Sequence, residues 1–429
     1  MVRQSVKRPQ RLEGTLSLPG DKSISHRALI LNAVASGTAT ISGLSSSADV
    51  VATRRCLSSL GVDIKPAEGS DQLRVHGRNW CLQESGSILD AANSGTTMRL
   101  LAGLLSAQPF LSVLTGDASL RSRPMGRVVQ PLQAMGARVM GRNNDTLAPL
   151  VIRGGHLKGA EHTLSVASAQ VKSCIILAAL QATGETIIHQ PAPSRDHTER
   201  MLNAMGSTIE EDGLTLTIRP GPLKAADVSI PGDISAAAFW LVAAVCHPSA
   251  RLRLRNVGVN PGRTGILDVL KSMGARINVE ELHLEGGEPT ADLVVESSTL
   301  EGVELGGDII PRILDEVPVL AVAACFARGT TTIKDAQELR VKESDRIRTT
   351  VRQLSRLGAS IEERPDGMVI HGTGKLKGGQ VRSHSDHRLA MTLAIAGLLA
   401  EGETIVDGAQ AASVSYPQFW EHLDHLSKG

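Results

Sequence analysis

Leu18-Pro-Gly-Asp-Lys-Ser-Ile-Ser25 is matched later in the chain by Ile230-Pro-Gly-Asp-Ile-Ser-Ala-Ala237. Both segments turn through Pro-Gly and then enter a long apolar stretch, and in both an Asp stands where it can cap the first turn of a helix. The repeat indicates that the chain contains two similar parts. The alternative is that both segments are ordinary helix starts, because Pro-Gly turns are common.

A second pattern recurs six times and predicts what each part contains. In every copy an apolar helix ends on small residues, the chain bends, and a short strand rich in β-branched residues follows. The copies are Ala33–Ile41, Gly103–Leu114, Ala178–Ile188, Ala243–Leu254, Ala323–Ile333 and Ala396–Ile405. Another set of helices ends on Leu-Gly or Met-Gly, which suits the left-handed position after a helix. The glycines are Gly61, Gly136, Gly206, Gly274 and Gly358.

Together the two repeats predict an α/β fold of two similar domains, each built from three units. Residues 1–20 and 233–429 would form the first domain and residues 21–232 the second, with the chain crossing near Gly20 and Gly232. A chain of 429 residues is long for a single core, which agrees with two domains.

The composition restricts the class of protein. Hydrophobic residues make up 41% of the chain, which predicts a globular fold, and aromatic residues only 2%, which predicts an aliphatic core. The net charge of +1 gives no general attraction to nucleic acid or to an anionic membrane, and few aromatic rings are available to stack on single-stranded bases. Any strong binding of anions must therefore come from local clusters.

The cysteines and the apolar runs indicate an intracellular protein. The five cysteines are scattered without a Cys-x-x-Cys pair, so neither a disulfide framework nor a zinc site is predicted. Residues 1–13 lack the apolar region of a secretory signal, and the longest apolar run, Ala236–Cys246, is too short to cross a bilayer. We expect a cytoplasmic protein, and a monomer by default because no interface can be recognised.

Four segments place cationic or small polar side chains at predicted turns or helix starts, where backbone N–H groups and the helix dipole favour a bound anion. They are Asp21–Arg27, Asn93–Arg99, Leu120–Pro124 and Ser165–Ser173. Lys22 is unfavourable at a positive helix end unless something negative lies there, so a functional role is predicted for it. His26 is predicted to be a packed or exposed side chain without a role in binding.

Each of these segments also has a structural alternative. The turn at Asn93–Arg99 could be only a helix cap, and the pair Arg121 and Arg123 could be a solvated basic loop. The charged residues that begin the next helices, Lys172, His197, Glu199 and Arg200, could form a solvated face.

The C-terminal half supplies candidate acids and bases. Leu314-Asp315-Glu316-Val317-Pro318 leads into an apolar run, so its two acids should lie at the start of a buried helix. Leu339–Arg346 alternates in charge, and its structural alternative is a salt-bridged helix. Ser385-Asp386-His387-Arg388 opens another apolar helix.

Six motifs together resemble the 5-enolpyruvylshikimate-3-phosphate synthase family, because they occur in the family's order and extend over nearly the whole chain. They are Pro19–Arg27, Asn93–Arg99, Ser168–Lys172, Ser194–Glu199, Leu339–Arg346 and Asp386–Arg388. Each motif alone is moderately specific, and the set is very specific. The resemblance implies two domains, each of three βαβαββ units in an inside-out α/β barrel, which agrees with the repeats found independently.

The resemblance also implies a reaction, its substrates and the residues that bind them. Members of this family transfer the enolpyruvyl group of phosphoenolpyruvate to the 5-hydroxyl of shikimate-3-phosphate and release phosphate, without metal or cofactor, in the biosynthesis of chorismate and aromatic amino acids. The residues implied for shikimate-3-phosphate are Lys22, Ser23, Arg27, Ser168, Ala169, Gln170, Arg195, Asp315 and Lys342. The residues implied for phosphoenolpyruvate are Lys22, Gly95, Arg123, Gln170, Arg346 and Arg388.

Such a reaction needs an acid near the methylene carbon of phosphoenolpyruvate, a base near the attacking hydroxyl, and cations for the phosphate. The resemblance implies Glu343 as the proton donor to carbon and Asp315 as the base, with Lys22 sharing in proton transfer. The two carboxylate roles could be exchanged. Because both halves of the chain supply ligand groups, we expect the domains to close on shikimate-3-phosphate and exclude water.

The chain departs from the family pattern in places. No lysine lies just before Tyr416-Pro417, where some members have one, and Asn260-Pro-Gly-Arg263 replaces the usual Asn-Pro-Thr-Arg. Ser168–Lys172 and Arg195–Glu199 resemble glyphosate-tolerant members, whereas Gly95 resembles sensitive ones, so the glyphosate response is open. Crowding by a methyl group predicts that Gly95→Ala weakens glyphosate binding.

Two rival functions are weighed against this one. UDP-N-acetylglucosamine enolpyruvyl transferase shares the fold and the phosphoenolpyruvate chemistry, but it carries a loop cysteine that the region around Arg121–Pro124 lacks. A non-catalytic protein that binds anions or RNA is disfavoured by the neutral charge, the scarcity of aromatic residues, and the presence of both Asp315 and Glu343.

Overall fold

The computed structural model of the chain describes residues 2–67, 69, 72–207 and 209–427, and short strands alternate with helices along it. The strands are β1 (Arg3–Lys7), β2 (Leu12–Ser17), β3 (Thr38–Ser42), β4 (Asp63–Pro66), β5 (Leu73–His76), β6 (Leu89–Asp90), β7 (Leu111–Thr115), β8 (Arg138–Gly141), β9 (Leu147–Arg153), β10 (Glu161–Thr163), β11 (Thr186–His189), β12 (Ile209–Asp212), β13 (Thr215–Ile218), β14 (Val228–Ser229), β15 (Ala250–Gly258), β16 (Arg276–Glu285), β17 (Glu288–Glu296), β18 (Glu304–Leu305), β19 (Thr330–Ile333), β20 (Ser360–Arg364), β21 (Gly367–His371), β22 (Gln380–Arg382) and β23 (Glu403–Asp407).

The helices range from single turns to more than three turns. They are α1 (Lys22–Val34), α2 (Ala48–Ser59), α3 (Gly95–Leu105), α4 (Gly126–Ala134), α5 (Arg142–Asp145), α6 (Ala169–Ala179), α7 (His197–Ala204), α8 (Ile234–Cys246), α9 (Gly265–Ser272), α10 (Ile310–Ile313), α11 (Val317–Phe326), α12 (Arg346–Arg356), α13 (His387–Leu399) and α14 (Phe419–Ser427). In the part of the chain described above, none of them is long and apolar enough to cross a membrane.

The chain divides into two compact units. The first unit contains residues 2–19, 231–284 and 289–427, and the second contains residues 20–230 together with residues 285–288. The chain leaves the first unit between Pro19 and Gly20 and returns to it between Ile230 and Pro231. The short segment 285–288, at the tip of the β16–β17 hairpin, belongs to the second unit by its contacts.

The sheets of the second unit repeat one topology. Their strand orders are β14-β3-β5-β4, β6-β7-β9-β8 and β10-β11-β13-β12. In each of them the outer strand runs parallel to its neighbour, and an antiparallel hairpin completes the sheet. Since a parallel pair requires a crossover, each sheet also brings helices to its face. This agrees with three similar α/β units in this part of the chain.

The first unit follows the same plan with one variation. Two of its sheets have the orders β2-β15-β17-β16 and β18-β19-β21-β20, again with a parallel outer pair. In the remaining sheet, described with three strands, β22 is parallel to β23, and β1 pairs antiparallel with β23. The N-terminal strand therefore completes a sheet built from the C-terminal part of the chain, with Arg3 opposite Asp407.

Apolar helices fill the interior of each unit. In the second unit α1, α3 and α6 are buried over nearly their whole length, and α8, α11 and α13 are buried in the same way in the first unit. Helices that are apolar all round have to be buried, and the strands around them alternate buried and exposed residues. The core is aliphatic as the composition predicts, except where Trp240 stacks on Phe419 of α14 at a ring distance of 5.3 Å.

The glycines that end the outer helices have the backbone predicted from sequence. Gly61, Gly136, Gly206, Gly274 and Gly358 all have positive φ, between 82° and 97°. Each of them directly follows the Leu or Met that ends α2, α4, α7, α9 or α12. The recurrent Leu-Gly and Met-Gly pairs are therefore left-handed helix terminations, as predicted.

Candidate active site

The N-termini of the three buried helices lie together in the second unit, and each is capped by a side chain. Asp21 accepts from the backbone N–H of the third residue of α1 at 2.9 Å, and Ser94 and Ser168 cap α3 and α6 in the same way. Gln170 in α6 donates from Nε2 to Thr96 Oγ1 in α3 at 2.9 Å, which joins two of the helix ends. Converging positive helix ends favour a bound anion.

Lys22, the first residue of α1, is paired with a carboxylate of the neighbouring helix. Its Nζ donates to Asp49 Oδ2 in α2 at 2.8 Å, and the two side chains are 20% and 10% exposed. The Asp49 carbonyl accepts from Thr97 Oγ1 at 3.3 Å, which ties this pair to α3. The sequence predicts that Lys22 requires something negative nearby, and in this structure Asp49 lies there.

His26 is packed inside the second unit, which is one of the two alternatives that the sequence leaves for it. Its Nδ1 lies 2.7 Å from Thr53 Oγ1, and its side chain is fully buried. Burial lowers the pKa of His26 to about 3, although the charge of Asp49 opposes this shift. The ring is therefore neutral at neutral pH.

Arg27 links α1, the first helix of the second unit, to α6 and α7. Its Nε donates to Thr198 Oγ1 at 2.7 Å, Nη2 to Ser173 Oγ at 2.8 Å, and Nη1 to the carbonyl of Ser23 at 2.9 Å. Burial lowers the pKa of Arg27 to about 10, while the charge of Glu199 opposes the shift. The guanidinium stays protonated at neutral pH and is fixed in place.

The residues implied for binding a phosphate lie at the start of α6 and just before α7. Ser168 caps α6, and the carbonyl of Ala169 accepts from Ser173 Oγ at 2.7 Å. Arg195 is half-buried two residues before α7, and its positive charge contributes to the lowered pKa of Arg27. Two cations and a helix N-terminus therefore lie in one region of this unit.

Gln170 is oriented by a residue to which the sequence assigns no role. Arg99 donates from Nη1 to Gln170 Oε1 at 2.6 Å and from Nη2 to the carbonyl of Pro124 at 3.3 Å. Gly95 leaves room for this guanidinium, because a Cβ at Gly95 would lie 2.7 Å from Arg99 Nη1 and 3.6 Å from Arg123 Nη1. The absent side chain at position 95 is therefore part of the local geometry.

Arg123 is buried, so the alternative of a solvated basic loop holds only for its neighbour Arg121, which is exposed. Arg123 donates from Nη2 to Asn93 Oδ1 at 2.7 Å and to Ser119 Oγ at 3.4 Å. Asn93 in turn donates from Nδ2 to Asp117 Oδ2 at 2.6 Å. The turn before α3 therefore orients a guanidinium as well as capping a helix.

The interpretation of the next charged segment as a solvated face is wrong for three of its four residues. Lys172 and Glu199 are each 1% exposed and form an ion pair, with Nζ 2.5 Å from Oε1. His197 is also 1% exposed, and its Nδ1 lies 2.7 Å from Oε1 of Glu288, in the segment 285–288. Only Arg200 is half-exposed. Buried charges are kept only when they are paired, so these residues join α6, α7 and segment 285–288.

In the first unit the corresponding helix starts carry acids. Asp233 accepts from the backbone N–H of Ser235 at 2.8 Å and begins α8, and Asp386 accepts from that of Arg388 at 2.9 Å and begins α13. Glu316 precedes α11 and accepts a hydrogen bond from Ser235 Oγ. The acids of the Leu314–Pro318 segment thus lie at the start of a buried helix, as predicted.

Arg346 is the centre of a carboxylate cluster and is 1% exposed. Its Nε donates to Asp386 Oδ2 at 2.9 Å, Nη2 to Glu343 Oε2 at 2.5 Å, and Nη1 to Asp315 Oδ1 at 3.4 Å. Burial opposes its charged form, but the charges of Asp386 and Glu343 raise the pKa of Arg346 above its usual value. The alternative of a salt-bridged helix is wrong for this segment, because the chain runs as a 3-10 turn, Gln337–Val341, before α12 and places the buried Arg346 among carboxylates.

Two further cations lie beside the same carboxylates. Arg388 has Nη2 3.5 Å from Asp315 Oδ2 and Nη1 3.8 Å from Glu316 Oε1. Burial lowers the pKa of Lys342, although the negative charge of Asp315 opposes the shift. The first unit therefore brings together Asp315, Glu343, Lys342, Arg346 and Arg388, which are all the site residues that the sequence assigns to this part of the chain.

Arg263, in the segment that departs from the family pattern, supports the start of α8. It is 4% exposed and donates from Nη2 to Asp233 Oδ1 at 3.0 Å and to Ser235 Oγ at 2.8 Å. The loop before it is held by Asn260 Oδ1, which accepts from the backbone N–H of Gly262 at 2.8 Å. Because this hydrogen bond uses only the backbone of residue 262, it does not depend on the side chain there, and the glycine of this chain can donate it as well as the threonine that is usual in the family.

Sequence reasoning missed the residues that orient the predicted ones. Asp49 stands in an ordinary helical segment and gives no signal in sequence. Arg99, Asp386 and Arg263 lie within segments that the sequence singles out but receive no role there, and Glu316 is a candidate acid to which the sequence assigns no partner. Among the described residues no group of three or more His, Cys, Asp or Glu is arranged to hold a metal ion.

The sequence profile of EPSP synthase (3-phosphoshikimate 1-carboxyvinyltransferase) matches residues 6–423. The chain belongs to the EPSP synthase family. It is 51% identical over 435 residues to 3-phosphoshikimate 1-carboxyvinyltransferase of Herpetosiphon aurantiacus, with 100% of both chains covered. It is 52% identical over 419 residues to the enzyme of that name from Bacillus thuringiensis subsp. konkukian, with 97% of each chain covered.

Solved structures of this family have the same fold. EPSP synthase from Acinetobacter baumannii superimposes with a TM-score of 0.88 at 41% identity, over 99% of this chain and 98% of the other. The family resemblance and the predicted fold class, two similar parts each of three βαβαββ units, are thereby confirmed. The family's fold and sequence extend over nearly all of this chain, so no large segment needs a separate explanation.

Proposed function

We propose that this protein transfers the enolpyruvyl group of phosphoenolpyruvate to the 5-hydroxyl of shikimate-3-phosphate and releases phosphate, in the biosynthesis of aromatic amino acids. The observation that carries this proposal is the EPSP synthase match over residues 6–423, within which every residue assigned to the site is buried or half-buried. Both substrates are small polyanions, and the clusters supply guanidinium groups, lysines and helix N-termini that suit them.

In the second unit, Ser168, Ala169, Gln170 and Arg195 bind the phosphate of shikimate-3-phosphate. A hydroxyl, a backbone N–H at a helix start, an amide and a guanidinium offer donors of the kind that phosphate oxygens accept. Ser23 and Arg27 contact the ring hydroxyls and the carboxylate. Because Arg27 already donates to three fixed oxygens, it orients the neighbouring side chains more than it adds charge.

The first unit contributes Asp315 and Lys342 to the same substrate. The lowered pKa of Lys342, caused by burial, favours a lysine that gains from contact with an anion. Asp315 lies 3.4 Å from Arg346 and 3.5 Å from Arg388, and these two guanidinium groups orient its carboxylate.

Phosphoenolpyruvate is held by Lys22, Gly95, Arg123 and Gln170 in the second unit and by Arg346 and Arg388 in the first. Gly95 contributes the backbone at the start of α3, where a helix N-terminus meets Arg123 and Arg99. The guanidinium groups match the carboxylate and phosphate of this substrate with paired donors.

Proton transfer falls to Glu343, Asp315 and Lys22. Glu343 donates a proton to the methylene carbon while Asp315 takes the proton of the attacking 5-hydroxyl, and a tetrahedral intermediate forms. Glu343 then takes a proton back from the new methyl group, and phosphate leaves the adjacent carbon with the proton held by Asp315, which restores the double bond and both carboxyl groups. Arg346 bonds Glu343 and Asp315 at once, so one guanidinium orients both carboxylates. The opposite assignment of the two carboxylates stays open.

The remaining sequence-based expectations belong to the same proposal. The two domains, residues 1–20 with 233–429 and residues 21–232, act as the working parts of the enzyme, and their closure on shikimate-3-phosphate stays a prediction. The protein acts as a monomer in the cytoplasm.

Phosphate release by the purified protein, given phosphoenolpyruvate with either shikimate-3-phosphate or UDP-N-acetylglucosamine, tests the proposal. We expect phosphate release when shikimate-3-phosphate is the acceptor and none when UDP-N-acetylglucosamine is. The rate with shikimate-3-phosphate should fall at least about a hundredfold in Glu343→Gln and in Asp315→Asn. Glu421→Gln, at an exposed position of α14, is the matched control and should keep full activity. Phosphate release with the UDP-sugar instead would assign the rival transferase activity to this protein. No phosphate release with either acceptor would mean that the protein is a folded but inactive member of the family.

A further inference from the structure

The segment that delivers Asp386 and Arg388 to the carboxylate cluster is a tight turn of unusual composition. Ser383 and Asp386 close it, with the backbone N–H of Asp386 donating to the carbonyl of Ser383 at 2.9 Å. Both central residues have positive φ, 52° for His384 and 59° for Ser385. This is the backbone of a type I′ turn, for which Asn-Gly is the preferred pair. His-Ser is not, so the turn needs support from elsewhere.

Gln353 of α12 supplies that support through both ends of its amide. The backbone N–H of Arg382 donates to Gln353 Oε1 at 3.0 Å, and Gln353 Nε2 lies 3.0 Å from His384 Nε2. Gln353 is 3% exposed, so water does not replace these bonds readily. On the other side, Ser383 donates from Oγ to the carbonyl of Gly408 at 2.9 Å.

The amide contact fixes the chemical state of the histidine. A backbone N–H can only donate, so the Gln353 oxygen must face Arg382 and the Gln353 nitrogen must face His384. His384 Nε2 therefore accepts, and the ring is neutral with its proton on Nδ1. Burial lowers the pKa of His384, and so do the positive charges of Arg356, Arg382 and Arg352. The negative charge of Asp386 opposes this shift. The lowered pKa favours the neutral ring.

The same helix holds the turn at a second point. Arg346 begins α12 and bonds Asp386, and Gln353 lies seven residues later, two turns along the same face. One rigid helix thus contacts both the start of the turn, through Arg382 and His384, and its end, through Asp386. Asp386 then caps α13, whose second residue is Arg388.

We propose that Gln353 and His384 are positioning residues, which clamp the strained turn so that Asp386 and Arg388 are correctly placed for phosphoenolpyruvate. The proposal rests on the function proposed above. Neither residue contacts the reacting groups itself; they act through Arg388 and through the Asp386–Arg346 pair. Loosening the turn should therefore weaken phosphoenolpyruvate binding more than shikimate-3-phosphate binding, which is assigned mainly to other segments.

Steady-state kinetics of Gln353→Leu provides the first test. KM for phosphoenolpyruvate should rise about tenfold, because leucine makes neither of the two amide hydrogen bonds, while KM for shikimate-3-phosphate stays within about twofold. The second-site variant Ser385→Gly should recover most of the loss in the Gln353→Leu background, since glycine adopts positive φ without strain. Gln130→Leu, at an exposed position of α4, is the matched control and should behave as wild type.

The tautomer of His384 gives a readout that does not depend on turnover. Long-range ¹H–¹⁵N spectra of the full-length protein should show the His384 proton on Nδ1 in the wild type. In Gln353→Glu, where a carboxylate can only accept, the proton should move to Nε2. Wild-type protein with the proton on Nε2, or an unchanged KM for phosphoenolpyruvate in Gln353→Leu, would overturn the clamp. A wild type that turns over neither substrate pair would instead overturn the proposed function.

Discussion

Lys22 Nζ and Asp49 Oδ2 lie 2.8 Å apart at the N-terminus of a buried helix. The positive end of a helix is an unfavourable place for a lysine. The carboxylate of Asp49, from the next helix, compensates both the charge of the ammonium and the partial charge of the helix end. The pair is only partly exposed, so it orients the Lys22 ammonium more strongly than a surface salt bridge would. A substrate anion that reaches Lys22 therefore meets a cation already aimed by Asp49.

Asp49→Ala should lower kcat about tenfold, because Lys22 then loses a partner that fixes its position. Asp49→Asn is the matched comparison, since the amide oxygen still accepts from Nζ while the charge is removed. We expect the Asn variant to keep most of the activity. Equal rates for Asp49→Ala and the wild type, measured by phosphate release, would show that the pair does not orient Lys22.

Gly95→Ala should raise KM for phosphoenolpyruvate and weaken inhibition by glyphosate. A methyl group at position 95 would lie 2.7 Å from Arg99 Nη1, so the guanidinium has to move away from Gln170 Oε1. Arg99 is flexible at its tip, so the protein should fold normally. Inhibition curves and Michaelis constants for both substrates measure the effect.

The same change at Gly155, where a new Cβ would meet no atom within 4 Å, is the control for Gly95→Ala. Gly155→Ala should leave both constants unchanged. Truncating Arg99 removes the group that clashes, so Arg99→Ala and the double variant with Gly95→Ala should have similar constants. Unchanged glyphosate inhibition in Gly95→Ala would end the crowding argument.

Glu199→Gln should reduce the free energy of unfolding by about 3 to 5 kcal/mol, because it leaves the ammonium of Lys172 buried without its counter-charge. Both side chains are about 2% exposed, so solvent cannot take over that role. The double variant Lys172→Met with Glu199→Leu replaces the pair by apolar groups and should be far closer to wild type. Urea unfolding of all three proteins tests this, and equal stabilities of the single and double variants would contradict it.

His26 makes the stability of the second unit depend on acid. Burial lowers its pKa to about 3 in the folded protein, whereas the unfolded chain has the ordinary value of 6.5. The unfolded state therefore gains a proton as pH falls below 6.5 and the folded state does not, which destabilises the fold. This should cost about 2 kcal/mol between pH 7 and pH 5.

The contribution of His26 is isolated by comparing the wild type with His26→Gln at both pH values. The variant should lose less free energy of unfolding on acidification, by about that amount, even if its stability at pH 7 is lower. His76→Gln, at an exposed position, should keep the wild-type slope. Identical slopes for the wild type and His26→Gln would contradict burial in the neutral form.

Much of the fold could be predicted because its signals are local and recur. The helix-ending glycines and the six helix-to-strand bends depend on nearest neighbours, and the structure confirms them. Gly20 shows where local reasoning stops. Sequence explains it as part of a turn, but a Cβ there would lie 1.8 Å from the carbonyl oxygen of Gly43, so a close backbone approach requires glycine. No local pattern shows which distant segment of the chain passes there.

The candidate site divides in the same way. Motif residues such as Arg123 and Arg346 could be found, since charged groups at helix starts are conspicuous. Their partners could not, because Asp49 reaches Lys22 from another helix and Glu199 reaches Lys172 only after the fold forms. The same limit explains why the interpretation of this segment as a solvated face is wrong. The spacing of charges in the sequence does not show that the carboxylate of Glu199 lies 2.5 Å from the ammonium of Lys172 in the folded protein.

Because β1 pairs with β23, this sheet can form only late in the synthesis of the chain. The ribosome completes residues 3–7 long before their partner, residues 403–407, emerges. At about 5 to 20 residues per second, the first strand waits roughly 20 to 80 s, while most of the second unit, one continuous run of chain, can already fold. An extension fused ahead of β1 would accompany this waiting strand throughout translation, so it should hinder late maturation more than one fused after α14.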